Sequence, residues 1–357
     1  MQFDFSPKWI AWETTKRCNL RCIHCRCVSE ADSQKKELTT EEGKKLLKEI
    51  ARFSKPVVVL SGGEPLLRDD IFELAAFGTE LGLRVCMAVN GTMVTGDVCR
   101  HMARAAIGMV SLSLDGSSAL IHDDFRQSPG SFDSVLHAAE LFRENGQKFI
   151  INSSFTKRNQ HDILHTFDLA KKLGAEAWYM FMIVPTGRGA DITDELISGE
   201  DYDEILKWHY EQEKREETIL MRPTCAPHYY RIVSQLAKAE KSDFKRRSLS
   251  FSTGGAKGCI AGQSICMIDS FGNVKPCSYF LRSAGNVRRT PFREIWEDSD
   301  IFRNLRDFRT YRGRCGRCKY ISVCGGCRAR ADALCGDYMG EDPVCAYSPA
   351  GFRKIFP

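Results

Sequence analysis

Short apolar runs recur along the first half of the chain: Trp9 to Trp12, Pro56 to Leu60, Leu83 to Val89, Met109 to Leu114, Phe149 to Phe155 and Ala177 to Val184. Each has the length of a strand and little polar alternation, so each predicts a strand buried on both faces. Between them, stretches at 69–82, 95–106, 131–145 and 159–173 have the length and mixed polarity of helices. A further helix opens at Leu38-Thr-Thr-Glu-Glu-Gly and runs to about Arg52, with Thr39 or Thr40 as N-cap and acids in its first turn. Strand and helix in regular alternation predict parallel strands joined by right-handed crossovers. The expected fold class is α/β: a partial (β/α)6 barrel over residues 1–185, open on one side. In such a barrel, chemistry belongs where strands end and loops begin.

Beyond this region the alternation fails. Pro185-Thr-Gly-Arg-Gly-Ala190 breaks it, helices are expected near 200–215 and 226–240, and a basic polar stretch runs from Lys241 to Gly258. Residues 186–258 are expected to bridge and cover the barrel mouth. From Cys259 the composition shifts abruptly toward cysteine. Residues 259–357 should form a second, loop-rich domain stapled by metal, because its short elements could bury too little surface alone. A length of 357 residues with 43% hydrophobic content allows a sizeable core. The formal charge of +5 does not announce a nucleic-acid binder, but basic residues clustered in a pocket would suit a small anionic substrate. No signal peptide and no membrane-length apolar run are expected. Sixteen cysteines without an export signal argue for a cytoplasmic protein, in a cell low in oxygen, that uses reduced thiolates as metal ligands.

The densest chemistry is Cys18-Asn-Leu-Arg-Cys22-Ile-His-Cys25, in the loop expected to leave the first strand. Three thiolates this close can hold three irons of a [4Fe-4S] cluster and leave the fourth open to a substrate or cosubstrate. Zinc would need a fourth ligand, for which His24 or Cys27 would have to be recruited. The spacing resembles the signature of the radical S-adenosylmethionine (SAM) family. That resemblance implies a cluster whose open iron chelates the amino and carboxylate groups of SAM, with cleavage of the sulfonium to a 5'-deoxyadenosyl radical. Ser61-Gly-Gly-Glu-Pro65 ends the second strand; by itself it is either a Gly-Pro turn or a place where glycines bring backbone close to a ligand and Glu64 offers an acceptor. By resemblance, Gly62, Gly63 and Glu64 hold the methionine amino group of SAM. In Ser111-Leu-Ser113-Leu-Asp115-Gly116, Ser113 and Asp115 share a face with Ser111, the cofactor side. The resemblance implies that Ser113 contacts the SAM carboxylate or ribose and that Asn152 contacts the ribose. A buried amide satisfied by backbone is the competing reading for Asn152.

Toward the carboxy terminus, Cys259 and Cys266 precede Ile-Asp-Ser-Phe-Gly272-Asn-Val-Lys-Pro-Cys277, a predicted hairpin turning at Gly272-Asn273. Cys315-Gly-Arg-Cys318, Cys324-Gly-Gly-Cys327 and Cys345 follow. A zinc ribbon would separate its knuckles by about 15–20 residues, far more than here. The pattern resembles the SPASM extension of radical SAM enzymes. By that resemblance, Cys259, Cys266, Cys277 and Cys327 hold one auxiliary [4Fe-4S] cluster, and Cys315, Cys318, Cys324 and Cys345 hold a second. The short Cys324 to Cys327 spacing departs from the family pattern and touches the first cluster, so one or two auxiliary clusters are expected.

Val184-Pro-Thr-Gly-Arg-Gly-Ala190, Pro223-Thr-Cys-Ala-Pro-His-Tyr-Tyr-Arg231 and Cys324-Gly-Gly-Cys-Arg-Ala-Arg330 together resemble the radical SAM enzymes that remodel haem side chains. The resemblance implies a tetrapyrrole substrate, iron-coproporphyrin III (coproheme), with two propionates oxidatively decarboxylated to vinyls to give protohaem. Sister enzymes acting on d1-type haem or didecarboxysiroheme share these motifs, and SPASM peptide maturases are a more distant alternative. Coproheme is planar and carries an iron and four carboxylates. Arg188, Arg222 and Arg231 are candidates to pair with propionates. Tyr229 or Tyr230 could pack on the ring, and Cys225 or His228 could approach the iron. The other expected partner is a low-potential electron donor.

Overall fold

The computed structural model describes residues 5–29, 36–241, 247 and 257–349. Ten strands form one sheet: β1 (Trp9–Thr15), β2 (Val57–Gly62), β3 (Arg84–Val89), β4 (Met109–Ser113), β5 (Phe149–Phe155), β6 (Ala177–Met182), β7 (Leu220–Thr224), β8 (Ile265–Ile268), β9 (Asn273–Lys275) and β10 (Gly285–Asn286). Their order is β10-β9-β8-β1-β2-β3-β4-β5-β6-β7. The neighbours from β8 through β1 to β7 are parallel, and β9 and β10 return antiparallel. Helices α1 (Thr40–Phe53), α2 (Ile71–Glu80), α3 (Gly96–Arg104), α4 (Ala119–Arg126), α5 (Ser131–Glu144) and α6 (Ile163–Lys172) fill the crossovers. Helices α7 (Gly199–Arg215) and α8 (His228–Glu240) flank β7, and α9 (Phe292–Asp298) and α10 (Asp300–Arg306) follow the hairpin.

Alternation along the apolar runs explains why both faces of the sheet are dry. Val58, Leu60, Met87, Leu112, Ile151 and Trp178 join the large core beneath the helices, whereas Val57, Val59, Cys86, Met109, Ile150 and Ala177 point into the barrel. Thr39 is the N-cap of α1: its hydroxyl accepts from the Glu42 N–H, and the Glu42 carboxylate accepts from the Thr39 N–H. Such a capping box contributes about 1 kcal/mol. At the hairpin, Gly272 (φ 87°) takes the left-handed conformation, and the Asp269 carboxylate accepts from the N–H groups of Phe271 and Asn273.

Three elements differ from the expectation. The stretch read as a bridge contributes β7, a seventh strand in the parallel series from β1. Strand β8, read as part of a separate domain, pairs in parallel with β1, so the sheet runs without a break into the cysteine-rich part. Helix α4, absent from the sequence reading, precedes α5 in the crossover from β4. Most of the basic stretch after Lys241 lies outside the described residues.

Candidate functional site

The cysteine loop leaves β1 and is tied down from two sides. The N–H of Gly63 donates to the Thr15 carbonyl and that of Glu64 to the Arg17 carbonyl, both at 2.8 Å. A Cβ on Gly62 would stand 2.3 Å from the Thr15 oxygen, and one on Gly63 would stand 2.1 Å from the Arg17 oxygen. These glycines therefore serve the approach of two backbone segments. Glu64 is fully buried, and its carboxylate accepts from the N–H groups of Leu66 (3.2 Å) and Asn90 (2.8 Å). Burial raises it to about 7 against the pull of those donors.

The second tie is Arg188, which sequence offered as a propionate partner. Its N–H donates to the Cys25 carbonyl and its Nε to the Cys22 carbonyl, both at 2.9 Å, while Nη1 and Nη2 reach the carbonyl and hydroxyl of Ser29 at 3.0 Å. Gly187 (φ 61°) lets this segment close on the loop, since a Cβ there would lie 2.4 Å from the Cys25 oxygen. Arg188 thus braces the cysteine loop, with its side-chain donors engaged there rather than lining the barrel cavity.

A third contact comes from α4. Arg126 sets Nη2 2.6 Å from Asp115 and Nη1 3.7 Å from the Cys22 sulfur. Asp115 is fully buried and also accepts from the Ser154 N–H (2.7 Å), so its carboxylate orients Arg126 and ties β4 to β5. His24 stacks on Phe125 (4.4 Å between centroids) and lies 3.7 Å from Asp115. Burial, with Arg126 nearby, keeps it neutral. The thiols of Cys18, Cys22 and Cys25 feel one another's charge. Burial lifts Cys18 to about 11, whereas a hydrogen bond from Cys27, 3.5 Å away, holds Cys25 down to about 4. All sixteen cysteines are free thiols. Among the described residues no three or more of His, Cys, Asp and Glu close around a single metal ion. A cluster holds its thiolates further apart than a single ion does, and three reduced thiols on one loop, each feeling another's charge, with a cation beside Cys22 suit one.

A cavity of about 270 Å³ fills the open barrel. Along the strands its lining changes from Trp9, Val57, Val59 and Met109 to Ser111, Asn152, Tyr179 and Arg222, and Cys259, Cys277, Tyr279 and Cys327 complete it from the C-terminal part. Ser113 is half-buried beside Asn152, its register partner on β5. The Asn152 Oδ1 is buried without a partner. So are Nε and Nη2 of Arg222, whose guanidinium lies 5.8 Å over the Tyr179 ring. Unpartnered buried polar atoms lining a cavity are what a bound polar ligand would satisfy.

Other proposed substrate residues lie elsewhere. His228 is buried 3.2 Å from Asp342 and lines a small cavity with Cys315, Cys318, Cys324 and Cys345. Burial would lower it, but Asp342 and Cys345 raise it to about 9. Arg231 lines the same small cavity and is paired with Asp203 (2.6 Å) and Gln235 (2.9 Å). Tyr229 is fully buried against His209 and bonded to Glu213, whereas Tyr230 reaches the barrel cavity. His228, Tyr229 and Arg231 thus lie away from the barrel cavity, His228 and Arg231 beside the C-terminal cysteines and Tyr229 in the core. Cys225 does line the barrel cavity. Cys266 does not: it is fully buried in the main core with Arg306 as its charged neighbour.

Arg126 and Asp342 carry no signal in the sequence, and Arg328 and Arg330 stand in the Cys324-Gly-Gly-Cys-Arg-Ala-Arg330 motif, which assigns them no role. Asp342 accepts from the Cys327 N–H (2.7 Å) and pairs with Arg330 (3.1 Å). Arg328 sets Nη2 3.3 Å from the Cys315 sulfur. The two arginines stand beside cysteine in Cys327-Arg-Ala-Arg330, the one local signal for them.

The barrel with its three-cysteine loop and the cysteine-rich extension define a class. Residues 12–170 match the Radical SAM superfamily and residues 259–328 the SPASM iron-sulfur cluster-binding domain, and the chain is a radical SAM enzyme of the haem-synthase family. It is 47% identical over 344 residues to the AdoMet-dependent heme synthase of Methanosarcina barkeri, covering 96% of this chain and 97% of that protein. It is 31% identical to the pre-heme d1 synthase of Dinoroseobacter shibae, covering 96% of this chain and 86% of that one. The solved structure of Streptococcus suis SuiB shares the fold, with a TM-score of 0.74 at 19% identity over 96% of this chain and 78% of that one. Iron–sulfur clusters and SAM are therefore its cofactors. No helix among the described residues is long and apolar enough to cross a membrane.

Proposed function

We propose that this protein oxidatively decarboxylates two propionates of coproheme to vinyls, giving protohaem. The observation that carries the reading is Arg222, a buried guanidinium with two unpartnered nitrogens in the wall of the barrel cavity. A propionate is the anion it lacks, and the apolar inner lining with Tyr179 and Tyr230 suits a planar macrocycle. The name of the Methanosarcina relative, AdoMet-dependent heme synthase, supports haem as the product. When bound, SAM and the N-terminal cluster would supply a radical able to take a hydrogen atom from the propionate β-carbon; loss of carbon dioxide, with one electron passed to a C-terminal cluster as acceptor, would leave the vinyl group. Cys18, Cys22 and Cys25 hold that cluster. Arg188 fixes their loop, and Arg126 places a cation beside Cys22. The backbone at Gly62, Gly63 and Glu64, with Ser113 and Asn152, faces SAM. Cysteines of the C-terminal part line the substrate cavity, where one or two auxiliary clusters would stand close to the electron's source. A low-potential donor and a cytoplasm poor in oxygen complete the setting.

Anaerobic incubation with coproheme, SAM and a reductant tests this. Conversion to protohaem by mass, with release of carbon dioxide, is expected. SAM cleavage with coproheme unchanged would refute the substrate, and turnover of a d1-type precursor or didecarboxysiroheme instead would move the chain to a sister reaction.

A further inference from the structure

Cys259, Cys277 and Cys327 share their part of the cavity wall with a fourth thiol from outside the SPASM match, Cys225, just after β7. Cys266 is directed elsewhere by its strand. Ile265 faces the cavity, so the next side chain on β8 faces away, into the core. Bringing Cys266 round would require β8 to slip by one residue and lose the register that sets it opposite Ile10 of β1.

Cys225, by contrast, is held in place at a cost. Its backbone is left-handed (φ 56°), a conformation that non-glycine residues disfavour. Its carbonyl accepts from the Tyr202 hydroxyl (3.1 Å) and from Nη2 of Arg330 (2.9 Å). Arg330 pairs with Asp342, the residue that accepts from the Cys327 N–H. One buried Arg–Asp pair thus fixes the backbone of two of the four cysteines. The charges felt by the Cys225 thiol are those of Cys327, Cys277, Arg330 and Cys259.

We propose that the first auxiliary cluster is held by Cys225, Cys259, Cys277 and Cys327, with Cys266 a core residue. The assignment rests on the reading that the C-terminal cysteines hold clusters. It means that the end of β7 carries both the substrate's carboxylate partner, Arg222, and a cluster ligand three residues on.

The test uses the full chain with Cys18, Cys22 and Cys25 changed to Ala, reconstituted anaerobically without substrate, so that all bound iron is auxiliary. Iron, sulfide and the EPR spectrum of the reduced protein are compared for this parent, Cys225→Ala and Cys266→Ala. Cys225→Ala is expected to lose up to about four irons per chain or to shift the signal of one cluster, while Cys266→Ala matches the parent. Should Cys225→Ala fail to fold, Cys225→Ser takes its place with the same expectation. A parent without iron overturns the cluster reading and the assignment together. A parent that binds iron, with Cys225 variants unchanged or Cys266→Ala altered, overturns the assignment alone.

Discussion

Three arginines looked equivalent in the sequence, and their partners separate them. Arg188 spends its donors on the cysteine loop, Arg231 is neutralised by Asp203, and Arg222 is left facing the cavity. A buried charge without a partner costs stability until a ligand supplies one. Arg222→Met should therefore leave the melting temperature of the substrate-free protein unchanged or raised. It should also weaken coproheme binding about 30-fold or more, roughly the 2 kcal/mol at the low end for losing a buried charge pair. Thermal unfolding and titration of the Soret band measure the two; a lower melting temperature with unchanged affinity would contradict the role. Arg188→Lys should do the opposite. A lysine cannot span Cys22 and both acceptors of Ser29, so iron bound by the N-terminal cysteines should fall while coproheme affinity stays within about twofold, inside the scatter of surface changes. Loss of coproheme affinity at full iron content would restore the propionate reading.

At the scale of elements, the site depends on close backbone approach and on a short helix. Gly62→Ala and Gly63→Ala each place a methyl against a carbonyl oxygen, an overpacking that costs about 1–3 kcal/mol. Urea unfolding should show a loss of that size, and an unchanged midpoint would mean that the loop can shift at no cost. Helix α4 presents Arg126 to Cys22 and ties its base through His122, whose Nδ1 accepts from the Asp115 N–H at 3.0 Å. Burial, with Arg126, holds His122 down to about 3 from 6.5. Between those values the unfolded chain binds a proton that the folded chain does not, so stability falls as pH falls through that window. His122→Gln keeps an acceptor without the titration. Its stability relative to the parent should therefore rise between about pH 7 and pH 5, as read by urea unfolding; a constant difference would show that His122 does not titrate there. Sequence missed α4 because it has only two turns and its Leu120 is 85% exposed, which blurs the helical pattern. The capped helix α1 was legible because Thr39 and Glu42 act within one turn.

Across the whole molecule, what was legible is what repeats locally. The apolar runs gave β1 to β6 and the cysteine spacings gave the class. Strand β7 was hidden because Leu220-Met-Arg-Pro-Thr224 mixes a charge and a proline into five residues; proline is tolerated there because β7 is the sheet's edge. Which of Cys225 and Cys266 meets the cavity depends on strand register and long-range pairing, which spacing does not encode. The same holds for His228 and Arg231, placed by α8 against the outer cysteine set. The proposed function places a carboxylate-bearing tetrapyrrole inside the barrel, where it reacts between two groups of cysteines. A single-turnover experiment on the anaerobic, fully reconstituted chain tests that most directly, by counting deoxyadenosine, carbon dioxide and vinyl groups formed per coproheme. Two of each per tetrapyrrole are predicted, passing through a monovinyl product. Deoxyadenosine formed without a vinyl group or carbon dioxide would contradict it.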